Sequence, residues 1–335
     1  MRVLALETSC DETAVAIIDG EGKILTSQIA SQALIHREFG GVVPEVASRN
    51  HITTVRPLVE SALAEAGVKL EEIDAFAATA GPGLASSLLI GNTVAKSLAM
   101  MFQKPFIAVN HMEGHLLSPF IDQADGVRPN IALIVSGGHT MLVRVDALQK
   151  YALLGKTRDD AAGEAFDKVA KMLGLPYPGG PEIDRHAKNG DRKKFDFPRS
   201  MLGSKDDAFS FSGLKTAVLY QLDKLEGSLE KNLDDLCASF QEAVVEVLVK
   251  KTVRAARRSG VRLVTVSGGV SCNGRLREAM QEACEEEGLE LLIATPALST
   301  DNAAMIAFVA MHRHLAGLSD PLERDVDPNL SMVFG

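Results

Sequence analysis

The sequence predicts an α/β protein built from two duplicated lobes. At the N-terminus, VLALETSCDETAVAIID places two apolar runs around a short polar turn, which is typical of paired strands. Residues 131–146, IALIVSGGHTMLVRVD, repeat this strand-turn-strand plan much later in the chain. Helices alternate with further strands after each hairpin, an order that favours α/β lobes. A chain of 335 residues also exceeds what one hydrophobic core usually supports.

The elements after each hairpin follow from apolar spacing. In the first half, residues 52–68 and 85–102 have helical periodicity, and residues 73–83 read as a strand entering a Gly-Pro loop. In the second half, residues 233–260 predict a long helix that leads into the strand VRLVTVSGG. Pro119 and DQADGVRPN mark a boundary weakly, so we expect lobes at 1–118 and 119–335. A final helix at about 302–316 is expected to pack back on the first lobe.

Composition and net charge limit the classes of function that the sequence allows. No apolar run approaches the ~20 residues that span a bilayer, and the N-terminus lacks a secretory apolar region. The four cysteines are scattered without a CxxC pair, as expected of reduced thiols in a cytoplasmic protein. A net charge of −9 argues against a self-sufficient nucleic-acid binder. Two basic stretches, at 191–199 and 250–262, are either solvated surface or local RNA contacts.

The segment NHMEGHLL carries the first chemical motif. His111 and His115 are four residues apart, so a helix would place both imidazoles on one face, where they could bind one metal ion. Zinc proteases share this spacing, but their glutamate directly follows the first histidine. Glu113 lies two residues after His111, roughly on the opposite side of the helix. The pair therefore resembles a metal clamp without a protease base, although such pairs also occur by chance on surfaces.

Asp301, in LSTDNAAMIAFVAM, lies at the start of a predicted helix. It is either a helix N-cap, which contributes about 1 kcal/mol, or a third metal ligand. Two histidines and one carboxylate with open positions suit Fe(II) or catalytic Zn(II). Sequence alone cannot bring Asp301 to the histidines, so both interpretations stay open.

Glycine-bearing turns follow three apolar strands: Gly81-Pro82-Gly83, Ser136-Gly137-Gly138 and Ser267-Gly268-Gly269. Glycine allows backbone N–H groups to approach a phosphate, and a following helix adds a favourable dipole. The segment VSGGVSCNGRLREAM combines strand, turn and helix, and its Asn273 could cap the helix or touch a ligand. No GxxxxGK[ST] pattern occurs, so a P-loop is excluded.

Residues 159–184 predict a short helix and a Pro-Gly loop. Asp160, Glu164 and Asp167 share one helix face. This face is either solvated surface or part of a ribose-binding site. In the second case, Asp167 would bind the ribose hydroxyls together with Gly180 and Asp184 of the loop. FSFSGLKTA, at residues 209–217, predicts a further capped helix starting at Ser212.

Ten ordered blocks show a resemblance to one known family. They are ETSCDET, GGVVPEVASRNH, AGPGLASSLLIG, NHMEGHL, VSGGHT, DDAAGEAFDK, YPGGP, FSFSGLKT, SGGVSCN and TDNAAMIA. Together they resemble TsaD, the tRNA adenosine threonylcarbamoyltransferase family, whose members were once described as O-sialoglycoprotein endopeptidases. The resemblance covers essentially the whole chain and is strongest to bacterial members.

The resemblance implies a fold and a set of site residues. The fold is that of actin, sugar kinases and heat-shock chaperone ATPases, with a nucleotide in an interlobe cleft. The implied metal ligands are His111, His115 and Asp301, holding Fe(II) or sometimes Zn(II). The implied contacts to the substrate nucleotide are Ile134, Val135, Ser136, Gly137, Gly138, Asp167, Gly180, Asp184 and Asn273. No catalytic base is identified, and His139 is a candidate.

The resemblance also implies an activity and partners. The threonylcarbamoyl group passes from threonylcarbamoyl-AMP to the exocyclic amine of the adenosine beside the anticodon, in tRNAs reading codons that begin with A. A TsaB-like paralogue and a TsaE-like ATPase assist, a TsaC-type enzyme supplies the adenylate, and ATP or AMP can also bind. The rival hypotheses are a metalloprotease and a chaperone-like ATP-binding regulator.

Overall fold

The computed structural model describes residues 1–225 and 228–332. The chain forms two compact units, one from residues 1–126 together with 300–332 and the other from Val127–Ser299. Residues 119–126 therefore belong with the first unit. In the described part of the chain, every helix is too short or too polar to cross a membrane.

The first unit contains a five-stranded sheet in the order β3-β2-β1-β4-β5. Its strands are β1 (Arg2–Glu7), β2 (Glu12–Asp19), β3 (Ile24–Ser31), β4 (Ala75–Gly81) and β5 (Phe106–Asn110). The first three are antiparallel neighbours, whereas β1, β4 and β5 run parallel. The predicted N-terminal hairpin is thus confirmed.

Helices cover both faces of this sheet, as buried parallel strands require. They are α1 (Ala33–Arg37), α2 (Pro44–Ala66), α3 (Ala85–Phe102), α4 (His111–Leu117) and, late in the chain, α11 (Ala303–Leu315). Helices α2 and α3 pack together and enclose a core around Leu4, Ile17 and Phe76. Helix α11 packs on β1, β2, β5 and α4, and its residues 303–311 are all buried. The unit is therefore closed by a segment near the end of the chain.

The second unit repeats this topology. Its sheet has the order β10-β9-β6-β7-β8, with β6, β7 and β8 antiparallel and β6, β9 and β10 parallel. The strands are β6 (Asn130–Val135), β7 (Thr140–Ala147), β8 (Lys150–Lys156), β9 (Leu263–Ser267) and β10 (Glu290–Ile293). The helices are α5 (Ala162–Met172), α6 (Gly179–Ala187), α7 (Ser212–Asp223), α8 (Leu229–Ser259), α9 (Gly274–Glu286) and α10 (Pro296–Ser299). Read in the opposite direction, this order is β8-β7-β6-β9-β10, which matches β3-β2-β1-β4-β5 strand for strand. The predicted duplication is therefore confirmed.

The sequence did not predict two strands in each unit: β3 and β5 in the first, β8 and β10 in the second. Of these, β3 and β8 extend the predicted hairpins, lie at sheet edges and are partly exposed. Such strands lack the continuous apolar run that marks a buried strand, so their sequence signal is weak.

The basic stretch of α8 binds the protein itself. The Lys251 side chain is 0% exposed, and its ammonium donates to the backbone oxygen of Ala208 at 2.6 Å and to Ser204 Oγ at 3.1 Å. Arg254 donates to the backbone oxygens of Ser204 and Asp206, and Arg258 pairs with Asp207. These three cations hold the segment 204–208, an interaction that counting charges in the sequence could not reveal.

Helix α7 begins at Ser212, as predicted, but its cap comes from elsewhere. The carboxylate of Asp159 accepts the backbone N–H groups of Phe211 and Ser212, at 2.8 and 3.3 Å, and the Ser210 hydroxyl. The start of α7 therefore depends on a residue that lies about fifty positions earlier.

Candidate metal and nucleotide sites

Helix α4 presents both histidines on one face. It starts where it does because Asn110 caps it, with the amide oxygen accepting the N–H groups of Met112 and Glu113 at 2.9 and 3.3 Å. The imidazole centroids of His111 and His115 lie 4.7 Å apart, with the rings nearly perpendicular. All seven residues of α4 are buried, so the pair is not an accident of the protein surface.

Asp301 joins the histidines instead of capping α11. The cap of α11 is Asn302, whose side-chain oxygen accepts the Met305 N–H at 2.9 Å. The Asp301 carboxylate is thereby left to face α4. Its Oδ1 lies 3.1 Å from His115 Nε2 and 3.5 Å from His111 Nε2. Of the two interpretations of Asp301, the N-cap is therefore wrong.

The donor set fits a divalent transition metal. One ligand atom from each of His111, His115 and Asp301 lies within 4.8 Å of the others. Both Nε2 atoms point toward the same carboxylate oxygen, as two-histidine, one-carboxylate sites require. His115 Nδ1 is buried without a hydrogen-bond partner among the described residues. Because the Nε2 atom of His115, and not its Nδ1, faces Asp301, Nε2 is the atom that could bind a metal.

The charges of this group depend on each other. Burial alone would lower the pKa of His111, but the carboxylates of Asp301 and Glu7 raise it well above its usual value. Burial alone would raise the pKa of Asp301, yet His111 and His115 hold it well below its ordinary range. The metal-free group therefore carries a protonated His111 beside an ionised Asp301 at neutral pH.

Glu113 is committed to a different interaction. Its Oε2 lies 2.6 Å from the guanidinium of Arg313 in α11, and its side chain is only 6% exposed. A carboxylate held in a buried ion pair does not serve as the base of a metalloprotease. At Cys10, burial raises the pKa of the thiol, and the carboxylates of Asp11 and Asp301 raise it further. That thiol is therefore protonated and unreactive.

In the second unit, the Ser136-Gly137-Gly138 turn joins β6 to β7. The Ser136 N–H donates to the His139 backbone oxygen at 2.8 Å, and the His139 N–H donates to Ser136 Oγ at 3.2 Å. Both glycines are exposed, and a Cβ added at either would meet no atom within 4 Å. Ile134 and Val135 are wholly buried in β6, so they can offer a ligand only backbone atoms.

The N-terminus of α5 lies against this turn, and those of α6 and α9 contact other predicted nucleotide residues. A Cβ on Gly163, in the first turn of α5, would stand 2.6 Å from the Ser136 backbone oxygen, so only glycine allows α5 to approach this closely. Asp167 of α5 accepts the N–H groups of Gly179 and Gly180 at the start of α6, and burial raises its pKa. Asp184 of α6 lies beside Gly274 at the start of α9. Contacts within the unit thus link the predicted nucleotide residues.

Asn273 acts as a helix cap. Its side-chain oxygen accepts the Leu276 N–H at 3.0 Å, and its amide nitrogen donates to Gln241 Oε1 at 2.6 Å. One amide hydrogen remains for another acceptor. Asp160, just before α5, and Glu164, in its first turn, both pair with Lys168, at 2.8 and 2.6 Å.

Sequence reasoning missed Glu7. This buried carboxylate contacts His111, yet it stands at the end of an apolar strand within the ETSC motif. Its position could have been noticed in the sequence, because an acidic residue at the end of a buried strand must have a partner for its charge.

Metal binding should release a proton from His111. Because its pKa is raised above 6.5, His111 carries a proton at pH 7 that a metal must displace. We expect release of about one proton per Zn²⁺ at pH 7, and an affinity that rises about tenfold per pH unit until His111 is neutral. Calorimetry in buffers of different ionisation enthalpy measures both quantities. A heat of binding that is independent of the buffer would contradict the protonated His111.

Comparison with known proteins identifies the family. Residues 23–308 match the family model of TsaD, tRNA N6-adenosine threonylcarbamoyltransferase. A protein of that name from Anaeromyxobacter sp. (strain Fw109-5) is 51% identical over 329 residues, covering 98% of this chain and 99% of the relative. Another from Geobacter sp. (strain M21) is 53% identical, with coverage of 98% and 96%.

Solved structures show the fold. HypF of T. kodakarensis aligns with a TM-score of 0.66 at 15% identity, over 94% of this chain and 48% of that one. Component A of the (R)-2-hydroxyglutaryl-CoA dehydratase of Acidaminococcus fermentans aligns with a TM-score of 0.56, over 94% and 99%. These likenesses confirm the fold class of actin, sugar kinases and chaperone ATPases. Family model and full-length relatives together show that the chain belongs to the tRNA N6-adenosine threonylcarbamoyltransferases, acyltransferases that modify tRNA.

Proposed function

We propose that His111, His115 and Asp301 hold one Fe(II) ion at the reaction centre of the transferase, with Zn(II) as the alternative. The observation that carries this proposal is the convergence of both Nε2 atoms on one Asp301 oxygen. Two histidines and one carboxylate leave coordination positions open, a pattern typical of Fe(II). When bound, such an ion acts as a Lewis acid that polarises a carbonyl and orients a carboxylate. A metalloprotease is disfavoured because Glu113 is paired with Arg313.

The adenylate is proposed to bind the second unit, at the turn Ser136–Gly138. Exposed glycines allow close approach of backbone N–H groups to the AMP phosphate, and the N-terminus of α5, which lies against the turn, contributes partial positive charge. Asp184 retains part of its exposure and is a candidate for the ribose hydroxyls. Asp167 accepts the Gly179 N–H at 2.7 Å and so holds the start of α6, and its remaining acceptor sites make it a further candidate contact to the nucleotide. The remaining amide hydrogen of Asn273 is available to the ligand.

The transfer reaction requires these residues to stabilise the leaving phosphate and to accept a proton from the attacking amine. The adenosine N6 attacks the carbamoyl carbon, the bond from that carbon to the phosphate oxygen breaks, and AMP leaves with the negative charge. N–H groups at the glycine turn stabilise the charge that develops on the leaving phosphate. The amine must also lose a proton, and His139 in the same turn is a candidate acceptor. Holding both substrates in position supplies much of the acceleration.

Partner proteins are part of this proposal. Helices α2 and α3 pack together and expose large apolar side chains, among them Ile52, Leu89 and Met100. Exposed apolar side chains on two packed helices are the kind of surface that a partner protein can cover. We assign it to the TsaB-like paralogue, while the TsaE-like ATPase and the TsaC-type enzyme complete a cytoplasmic pathway. With a net charge of −9, the chain depends on such partners to hold tRNA.

Asp301→Asn should impair metal binding and leave the helix cap intact, whereas Asn302→Ala should lower stability and leave metal binding intact. Removing the Asp301 charge should lower Zn²⁺ affinity at least about 100-fold and abolish tRNA modification, while the cap of α11 stays intact. Removing the Asn302 cap should cost about 1 kcal/mol of stability yet leave metal binding unchanged. Metal titration and thermal unfolding of both variants separate the two roles. Retained metal in Asp301→Asn would overturn the site.

Gly138→Val should weaken the binding of AMP about tenfold to a hundredfold, the loss expected for one hydrogen bond to a charged group. The surrounding space is open, so the variant should fold normally. Gly203→Val is the matched control, because Gly203 also has open space around it but belongs to a different loop. Calorimetry with AMP compares the two variants. Equal affinities would reject this position for the phosphate.

Lys193→Glu/Lys194→Glu should weaken the binding of tRNA to the complex reconstituted with both partners. Both lysines are exposed, and each side chain is without an ion pair in the described part of the chain. The salt dependence of binding should fall by about one phosphate per lysine reversed. Arg257→Gln is the control, because that arginine is exposed but already pairs with Glu287. An unchanged salt slope in the double variant would remove this stretch from the tRNA interface.

A further inference from the structure

Glu7 lies behind the metal centre, on the side of His111 away from Asp301. Its side chain is 1% exposed, and its Oε2 lies 3.0 Å from His111 Nδ1. The opposite nitrogen, Nε2, faces Asp301 at 3.5 Å. The imidazole therefore stands between two carboxylates, one facing each nitrogen.

The other partners of Glu7 determine where the protons lie. Thr79 Oγ1 donates to Glu7 Oε2 at 2.6 Å, and the Ser9 N–H donates to Oε1 at 2.5 Å. A carboxylate that receives these bonds is an acceptor, so the contact with His111 requires a proton on Nδ1. In the neutral ring, a proton on Nδ1 leaves the lone pair on Nε2. That lone pair is the one directed at Asp301.

His115 provides the contrast. Its Nδ1 is buried without a hydrogen-bond partner among residues 1–225 and 228–332, although its Nε2 also faces Asp301. The two histidines are therefore supported unequally. In metal sites, a carboxylate behind a histidine fixes the ring orientation and increases its basicity.

We propose that Glu7 is a positioning residue that fixes His111 with a protonated Nδ1 and directs its Nε2 to the metal. This inference rests on the proposed metal site. Strand β1 supplies Glu7 and strand β4 supplies Thr79, so the support stands on rigid elements of the sheet. Ser9 Oγ, at 3.2 Å from His111 Nδ1, is a second and weaker neighbour.

The test uses the near-isosteric variant Glu7→Gln in the full chain, with the same change at another carboxylate of the first unit, Glu65→Gln, as the control. A neutral amide still fills the space, but it removes the negative charge behind His111. We expect Zn²⁺ affinity, measured by competition with a chromophoric chelator, to fall about 10- to 100-fold in Glu7→Gln. The visible spectrum of the Co²⁺-substituted protein should shift as well. Glu65→Gln should leave the affinity unchanged, because the Glu65 carboxylate accepts hydrogen bonds from Thr26 and Gln28 and not from a histidine of the triad.

A measurement on the unmodified protein covers the case in which Glu7→Gln fails to fold. Nitrogen NMR of the Zn²⁺-loaded chain, labelled at histidine, should show His111 protonated at Nδ1 and ligated through Nε2. A His111 ligated through Nδ1, or wild-type Zn²⁺ affinity in folded Glu7→Gln, would overturn the proposal. If Zn²⁺ fails to bind at the triad at all, the metal assignment falls. The tautomer of His111 in the metal-free protein, recorded at a pH above its raised pKa where the ring is neutral, then still decides the role of Glu7.

Discussion

The parallel pairing of β1, β4 and β5 is the constraint on which the proposed metal centre depends. Leu6 lies opposite Ala78, and Thr79 lies opposite Val109, so the three strands end at one edge of the sheet. Glu7 meets Thr79 at this edge, and the chain turns into α4 directly after Asn110. A slip of one residue in either pairing would turn these side chains to the opposite face. Apolar strand packing thus fixes the position of a polar site.

Two asparagines allow the site to form at helix starts without using its own residues as caps. Asn110 satisfies the first N–H groups of α4, and Asn302 does the same for α11. Helix N-termini favour negative charge, which suits Asp301 but not a protonated His111. The carboxylates on either side of His111 outweigh that effect and raise its pKa. A divalent metal would replace the proton as the positive charge held between these groups.

The sequence pattern predicted the duplicated fold and the histidine pair, because both depend on residues close together in the chain. The fold follows from the spacing of apolar residues, and the pair follows from the i, i+4 spacing of two histidines. The pattern could not decide between the two interpretations of Asp301, since the contact with His115 joins residues 186 positions apart. Only the neighbouring Asn302, which takes the cap, resolves that choice. It also assigned Arg254 and Arg258 to solvent or RNA, whereas the structure pairs them with the 204–208 segment. Counting charges along a helix does not reveal the backbone oxygens that a folded loop brings to it.

The first unit takes its closing helix from the end of the chain, and this fixes the order in which a newly made molecule can be completed. On the ribosome, residues 1–126 emerge first, but β1 and β2 remain without the apolar face of α11 until residues beyond 303 have left the exit tunnel. The second unit, encoded between them, has all its strands and helices earlier. The unit that begins first is therefore finished last, in contrast to the usual N-terminal-first order. Asp301 arrives with the same segment, so a nascent chain displays two histidines but cannot yet complete the proposed metal centre.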